Sequence, residues 1–344
     1  MQAARIHEHG GPEVLRVEQV PDPEPGPGEV LVRVLAVSLN HLDLWVRRGM
    51  PGVTVPFPRI LGCDGTGEVV ALGADTSGLE LGQRVVIEPG FSSGTSRHDR
   101  EGNDHLSDDY GIRGEHCDGL DCELVALPAR FVFPLPAGLD PLAAASAPLT
   151  FLTAWAMVFQ RAQVRAGENV LVLGGAGGVG SAAIQMCRDL GARVITTGST
   201  EDKRELAREL GAEVALDPGV AGWDKEVRRL TDGRGVDVVV EHVGPATWET
   251  SMRVLARNGR LVTCGGTTGA RVSLLLPHLF IKNLSVLGST MGPRKALPEI
   301  MRRLADGRYR TAVDRVLPLS QVREAHAALE GRAVAGKIVL VPGE

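Results

Sequence analysis

Apolar and polar positions alternate in short runs through the first part of the chain. EVLVRVLAVSL (Glu29–Leu39) carries β-branched residues at every second place, the period of a strand with one buried face. GTGEVVALG (Gly65–Gly73) and QRVVIEPG (Gln83–Gly90) repeat the style. Gly and Pro punctuate the runs, as in the turn segment PDPEPGPGE (Pro21–Glu29). Short strands with irregular connections predict a β-barrel-like domain. After Pro148 the period changes. From Asn169, buried strands alternate with helices. NVLVLGG is a strand, VGSAAIQMCRDLG a helix closed by Gly191, ARVITTG a strand and STEDKRELARELG a helix closed by Gly211. VDVVVEHVG follows, then a helix through ETSMRVLARNG and the strand RLVTCGG. This rhythm predicts a doubly wound parallel sheet. The tail changes again: a strand in LSVLGSTMG, a helix in ALPEIMRRLADG, a strand and helix in VDRVLPLSQVREAHAALE, and a last strand GKIVLV suited to rejoin the first domain.

Composition narrows the class. The chain has 344 residues, 43% hydrophobic and 23% charged, enough for two domains with a sizeable core. The net charge is −5 and no Lys/Arg block interleaves with aromatics, which argues against a nucleic-acid partner. No apolar run reaches membrane-spanning length, and the N-terminus lacks a basic-then-apolar signal pattern. Cys63, Cys117, Cys122, Cys187 and Cys264 are scattered and odd in number, so the expectation is a reduced, cytoplasmic chain.

Gly175, Gly177, Gly178, Val179 and Gly180 lie in GAGGVG, a G-x-G-x-x-G pattern. The pattern alone is weak, but here a buried strand precedes it and a capped helix follows. Gly175 is expected to allow the tight turn, Gly177 to let backbone N–H groups approach a pyrophosphate, and Gly180 to bring helix and strand together. The second strand then ends at Thr197-Gly198-Ser199, without the carboxylate that usually binds both ribose hydroxyls in an NAD site. Ser199 reads as a helix N-cap with Asp202 three residues on, and Lys203 and Arg204 follow. Small hydroxyls and a cation favour NADPH over NADH. His242, in VEHVG, stands at a strand's carboxyl end, where ligands bind in such sheets.

A β-rich first domain, a late G-x-G-x-x-G domain and a returning tail together resemble the medium-chain dehydrogenase/reductase superfamily. GPEVL, VSLNHLDLWVRRG, LGCDGTGEV, AGGVGSAAIQ, LGSTMG and GKIVLV carry the resemblance over essentially the whole chain, and its quinone reductase and alcohol-dehydrogenase-like branch is the most similar. The resemblance implies an α/β architecture: a GroES-like β-barrel catalytic domain over 1–148, completed by 293–344, and a Rossmann doubly wound parallel-sheet domain over 149–292. It implies an active site in the cleft between them and a homodimer joined at Rossmann sheet edges, for which Leu274–Ser289 is apolar enough. It implies cofactor contacts at Thr153, Val179, Gly265, Ser289, Thr290 and Lys337.

Two metal sites of the family are expected to be missing. The structural-zinc lobe has four cysteines spaced C-x2-C-x2-C-x7-C, and these positions fall on Ser93, Ser96, Asp99 and Ser107. Serine hydroxyls do not ionise near neutral pH, so the stretch reads as a lobe without its zinc, mobile as a result, with His98 and His105 as solvated loop residues. The catalytic ligand positions fall on Asn40, Cys63 and Leu149, with Asp64 where Glu is common. One thiol is not a three-ligand site, and an improvised set from His41, Asp43, Cys63 and Asp64 is disfavoured. No metal is expected.

Without a metal, hydride transfer from NADPH to an electron-poor quinone or enone is the expected reaction, since conjugation spreads the developing charge. Asn40 is the first candidate hydrogen-bond donor. Trp45 stands where zinc-free relatives often place an aromatic. His41 and Asp64 are acid/base candidates and Cys63 a candidate thiol near the nicotinamide. The alternatives are an alcohol or aldehyde dehydrogenase, and an NADPH-binding protein with little catalysis.

Overall fold

In a computed structural model that describes residues 1–50 and 52–343, the chain divides into two units, residues 1–149 with 293 onward, and residues 150–292. The first unit is built on strands β1 (Gln2–Ile6), β2 (Arg16–Gln19), β3 (Glu29–Ser38), β4 (Arg59–Ile60), β5 (Asp64–Leu72), β6 (Arg84–Ile87), β7 (Gly90–Phe91), β8 (Gly111–Ile112), β9 (Leu124–Pro128) and β10 (Val132–Pro134). The alternation expected in the Glu29 run appears in β3, where Val30, Val32 and Val34 are buried. Burying one such side chain is worth roughly 1.5–3 kcal/mol. A one-residue slip would turn all three outward, so the register is held by packing as well as by the ladder.

β3 is the spine of this unit. It pairs antiparallel with β5 and β9, and the main sheet runs β10-β6-β5-β3 before reaching two strands from the tail, β18 (Lys337–Val341) and β17 (Val313–Pro318). The final strand therefore rejoins the first domain. Val339 lies opposite Ser38 and Leu340 opposite Val37, and the Leu39 N–H donates to the Ile338 carbonyl at 3.0 Å. This pairing delivers Lys337 to the residues that follow β3. There Asn40 caps a helix, His41–Arg48, through a capping box with Asp43.

The second unit holds β11 (Asn169–Val172), β12 (Arg193–Thr197), β13 (Val214–Leu216), β14 (Val236–Glu241), β15 (Leu255–Thr263) and β16 (Ser285–Gly288). They form one parallel sheet in the order β13-β12-β11-β14-β15-β16. The order reverses at β11, the Rossmann arrangement in which ligands bind at the carboxyl ends of the strands. Helices Gly178–Asp189 and Glu201–Glu209 end before Gly191 and Gly211, at φ +77° and +115°, as their sequences predict.

Two local expectations change. The helix expected to run through ETSMRVLARNG stops at Val254, and Leu255 already pairs with Val236 in β15. Asn258, at φ +63°, and a register shift beside Val236 absorb the turn that the helix would have continued. The N-cap of Glu201–Glu209 is Thr200, not Ser199: the Thr200 hydroxyl accepts the Lys203 N–H. Among the described residues no helix is long and apolar enough to cross a membrane.

Candidate functional site

In the second unit, β11 feeds a glycine turn into helix Gly178–Asp189. The left-handed residue is Gly174, at φ +59°, one position before the glycine expected to take that role. Gly175 is needed for another reason, because a Cβ there would strike the Thr196 hydroxyl. A Cβ on Gly180 would strike the Gly174 carbonyl, so Gly180 does bring helix and turn together. Gly177 caps the helix in an extended conformation, and Gly178 and a half-buried Val179 open its first turn. First-turn N–H groups have no intrahelical acceptor, and the helix dipole adds positive potential, so this end suits a diphosphate. Thr197 steadies the turn: its hydroxyl accepts the Gly174 N–H at 3.0 Å and its carbonyl the Gly175 N–H at 2.9 Å. His242 packs its ring on Gly174 and bonds the Leu173 carbonyl through Nε2 at 2.7 Å. Burial lowers its pKa, against the pull of Glu241.

At the end of β12 the backbone passes Gly198 and an exposed Ser199. Arg204 folds back over this end. Its guanidinium donates to the Gly198 carbonyl at 2.8 Å and pairs with Glu201 at 2.8 Å and Asp217 at 3.1 Å. Lys203 lies in the first turn of the same helix. Lys203 is the cation the sequence offers to the cofactor, and it is the neighbouring Arg204 that closes on the strand end. Further along the sheet, the Ser289 N–H donates to the Thr263 carbonyl at 2.8 Å, and Gly265 accepts from the Thr263 hydroxyl. The Ser289 hydroxyl is buried without a partner, a polar atom suited to a carboxamide. Thr290 is exposed and Thr153 is buried in helix Pro148–Trp155.

The first unit holds a buried polar cluster around Asn40. Asn40 Nδ2 donates to Asp64 Oδ2 at 2.9 Å and to the Ser38 carbonyl at 3.2 Å, and lies 3.5 Å from Cys63 Sγ. Its Oδ1 accepts from Lys337 Nζ at 2.5 Å, and that ammonium is 3.7 Å from Asp64 Oδ2. Asp64 Oδ1 accepts the Leu149 N–H at 2.7 Å. Asp43 accepts the N–H groups of Asn40 and Gly62. Asn40, Asp43, Asp64 and Lys337 are 4%, 2%, 0% and 6% exposed, so the groups are withdrawn from bulk water. Burial pushes Asp43 up to about 6, against the bonds from Asn40. It raises Asp64, opposed by Lys337 and by the Asn40 amide, and it lowers Lys337, opposed by Asp64. Burial also raises the Cys63 thiol well above its usual range, so Cys63 is no ready thiolate.

The cluster shows how the candidate residues are held. The Asn40 amide hydrogens are turned inward, so Asn40 is a positioning group here, not a free donor. Lys337, expected at the cofactor, is joined to Asn40 and Asp64. His41 is exposed at the start of its helix, its ring 6.4 Å from that of the half-buried Trp45 and outside the cluster. Asp121 was missed. It is 1% exposed, neither carboxyl oxygen has a hydrogen-bond partner, and a Cβ on Gly62 would strike it. Burial, then the nearby Asp43, raise its pKa well above the usual carboxylate range. An acid inside the apolar-rich run GLDCELVAL was the available signal.

A catalytic zinc would have to use these donors, and they do not fit it. Among the described residues no three His, Cys, Asp or Glu side chains gather as a metal set. One protonated thiol, an amide and a carboxylate already facing an ammonium are a poor substitute for three convergent ligands.

The Ser93–Ser107 stretch is no loose loop. Asp99 is its hub: it accepts from the hydroxyls of Ser92 at 2.6 Å and Ser107 at 3.3 Å and from the Ser96 N–H at 2.9 Å, while Ser96 caps helix Arg97–Arg100. Ser107 shares its single hydroxyl hydrogen with Asp109, the nearer acceptor at 2.6 Å, and Asp109 accepts the Ser93 N–H. Burial opposes ionisation of Asp99, but the bonds from Ser92, Ser96 and Ser107 outweigh it and bring the pKa down to about 2. His105 is buried, not solvated, with Nδ1 unpartnered.

Comparison with known proteins agrees with this architecture. Residues 26–137 match the alcohol dehydrogenase GroES-like domain family and residues 178–306 the zinc-binding dehydrogenase family. A quinone oxidoreductase of Pseudomonas aeruginosa is 33% identical over 97% of each chain. Among solved structures, an NAD-dependent alcohol dehydrogenase is 44% identical over the whole of both chains with a TM-score of 0.96. A cobalt- and zinc-bound alcohol dehydrogenase from Pyrobaculum aerophilum is 33% identical over 99% of each, with a TM-score of 0.90. The two folded units, the dinucleotide turn and these full-length likenesses together establish that the chain belongs to the medium-chain dehydrogenase/reductase superfamily and is an NAD(P)H-dependent oxidoreductase.

Proposed function

We propose that the protein reduces quinones or α,β-unsaturated carbonyls with NADPH and without a catalytic zinc. The observation that carries this reading is the Asn40–Asp64–Lys337 cluster, in which a side-chain ammonium, not a metal-ligand set, faces the buried carboxylate. An alcohol oxidation needs a Lewis acid or strong base to stabilise the alkoxide. A conjugated acceptor does not, because the electron pair arriving with the hydride spreads over the conjugated system. When bound, NADPH would supply the hydride that adds to the acceptor, and solvent or a nearby acid would supply the proton that completes the reduction. The quinone oxidoreductase relative supports this acceptor class. NADPH is supported by the β12 end, where Gly198, Ser199 and the Arg204 guanidinium stand in the place of the carboxylate usual in an NAD site.

The second reading is an NAD-dependent alcohol dehydrogenase, favoured by the likeness to a solved enzyme of that kind at 44% identity. One experiment separates them. Protein treated with a chelator is mixed with NADPH and a panel of quinones and enones. Turnover that survives chelation supports the reductase. Activity seen only with alcohols and NAD+, after zinc is restored, replaces it with the second reading. We also propose a cytoplasmic homodimer. β16 is a sheet edge, and Leu275, Leu276, Phe280 and Ile281 beside it are more than half exposed. A solution mass near that of one 36.5 kDa chain would refute the dimer.

A further inference from the structure

Three strands of the first unit end together near Asn40. Ser38 of β3 lies opposite Asp64 of β5, and Gly65 of β5 lies opposite Ile87 of β6. The antiparallel ladder therefore brings Cys63 and Asp64 beside the chain that leaves β6 through Glu88 and Pro89 into β7. β7 pairs with β8, Gly90 opposite Ile112 and Phe91 opposite Gly111, and the residue before β8 is Tyr110. A Cβ on Gly90 would strike the Tyr110 hydroxyl and ring, so only a glycine there lets the phenol lie across the strand end. The lobe holds it in place. The Tyr110 N–H donates to the Ser107 carbonyl at 3.0 Å, buried Asp104 accepts the Arg294 N–H at 3.0 Å, and Arg294 Nε is 3.7 Å from Glu88 Oε2. The Tyr110 ring is half-buried, and its hydroxyl bonds no group among the described residues. Burial raises its pKa well above the usual phenol range, Glu88, Asp104 and Cys63 raise it further, and Arg294 opposes them. The phenol thus keeps its hydrogen at neutral pH. The donors beside it are already engaged: the Asn40 amide with Asp64 and the Ser38 carbonyl, and the Lys337 ammonium with Asn40.

We propose that Tyr110, carried in by the lobe, donates the hydrogen bond that holds the carbonyl oxygen of the acceptor. This rests on the quinone or enone reductase reading above and adds to it the group that meets the substrate oxygen. Reduction of a conjugated acceptor places negative charge on that oxygen. A hydrogen bond fixed there beforehand strengthens as the charge builds, so it favours the transition state over the bound substrate. The phenol keeps its proton throughout. The half-buried ring leaves one side open to a ligand, while the Gly90 backbone supports the other.

Wild type and Tyr110→Phe are compared in single turnovers with NADPH, using menadione as the stronger acceptor and cyclohexenone as the weaker. The substitution keeps the ring against Gly90 and removes only the hydroxyl. The variant is expected to bind NADPH with an unchanged Kd, read from nicotinamide fluorescence. It should reduce cyclohexenone on the order of a hundredfold more slowly than wild type, and menadione with a smaller loss, because the better acceptor depends less on the donor. A purely structural role would not grade the loss by acceptor. Should the variant fail to fold, Tyr110→Leu, which also lacks the hydroxyl, takes its place. The proposal is overturned if the variant stays within about threefold of wild type on every acceptor that wild type reduces, if the two losses are equal, or if the loss comes with weaker NADPH binding. A wild type that reduces neither acceptor sinks the reductase reading and the donor with it. A wild type that does, matched by its variant, sinks the role of Tyr110 alone.

Discussion

The Ser93–Ser107 lobe and the Asn40–Lys337 cluster lie in the same unit, and both take positions that hold metal ligands in the superfamily. They are held together in opposite ways. In the lobe, hydroxyls and an N–H gather on the Asp99 carboxylate, and among the described residues no cation is bonded to it. In the cluster, a carboxylate that is 0% exposed faces a buried ammonium. The difference follows from water. At a wet surface an ionised carboxylate is stable with neutral donors alone. In the interior it needs a counter-charge, because desolvation otherwise outweighs its hydrogen bonds.

The strongest way to break that comparison is to remove the buried partner. Asp64→Ala leaves the Lys337 ammonium without its carboxylate and should cost roughly 3–5 kcal/mol, read as a lower urea midpoint. A loss below about 1 kcal/mol would mean that the pair is not the counter-charge system described here. The surface counterpart should be milder and more local. Asp99→Ala removes the acceptor shared by Ser92, Ser96 and Ser107, worth about 1–3 kcal/mol. It should quicken tryptic cleavage at Arg97 and Arg100 more than it lowers global stability. The Asp99 pKa is about 2 against 3.8 in the unfolded chain, so its contribution is present above pH 3.8 and fades as pH falls towards 2. Lobe protection that fades on raising the pH would contradict this.

The smallest effect sharpens the rule from the other side. Asp121 is buried with neither a cation nor a donor among the described residues, and its pKa is raised above the unfolded 3.8. The folded state therefore holds a proton that the unfolded state releases, and stability declines as pH rises above 3.8. Asp121→Asn keeps the shape and removes that penalty. It should be close to neutral at pH 4 and stabilising at pH 8, seen as a melting-temperature gap that widens with pH. A gap that narrows would show that Asp121 is ionised after all.

Much of this was legible in the chain. The period of two in Glu29–Leu39 and the strand–helix rhythm after Asn169 predicted both folds, because burial of one strand face or one helix stripe is a local pattern. GAGGVG marked the dinucleotide turn, although the left-handed residue proved to be Gly174. Which glycine bends depends on where β12 crosses, since Thr197 fixes the turn from another strand. The absent cysteines at Ser93, Ser96 and Ser107 were plain in the sequence. The knot that Asp99 ties there was not, because it joins Ser92 to Ser107 across a helix and a 3-10 turn.

By itself the sequence determined the elements, the two domains, the dinucleotide turn and the residue types near the family's metal positions. These follow from spacing, which the covalent chain carries. Only the tertiary structure decided that Lys337 meets Asn40, 297 residues away, and that Asp121 lies against Gly62 without a partner. Charge and burial are properties of the folded surroundings. A lysine in GKIVLV reads the same whether it faces water, a cofactor or a carboxylate, until β18 pairs with β3 and places it.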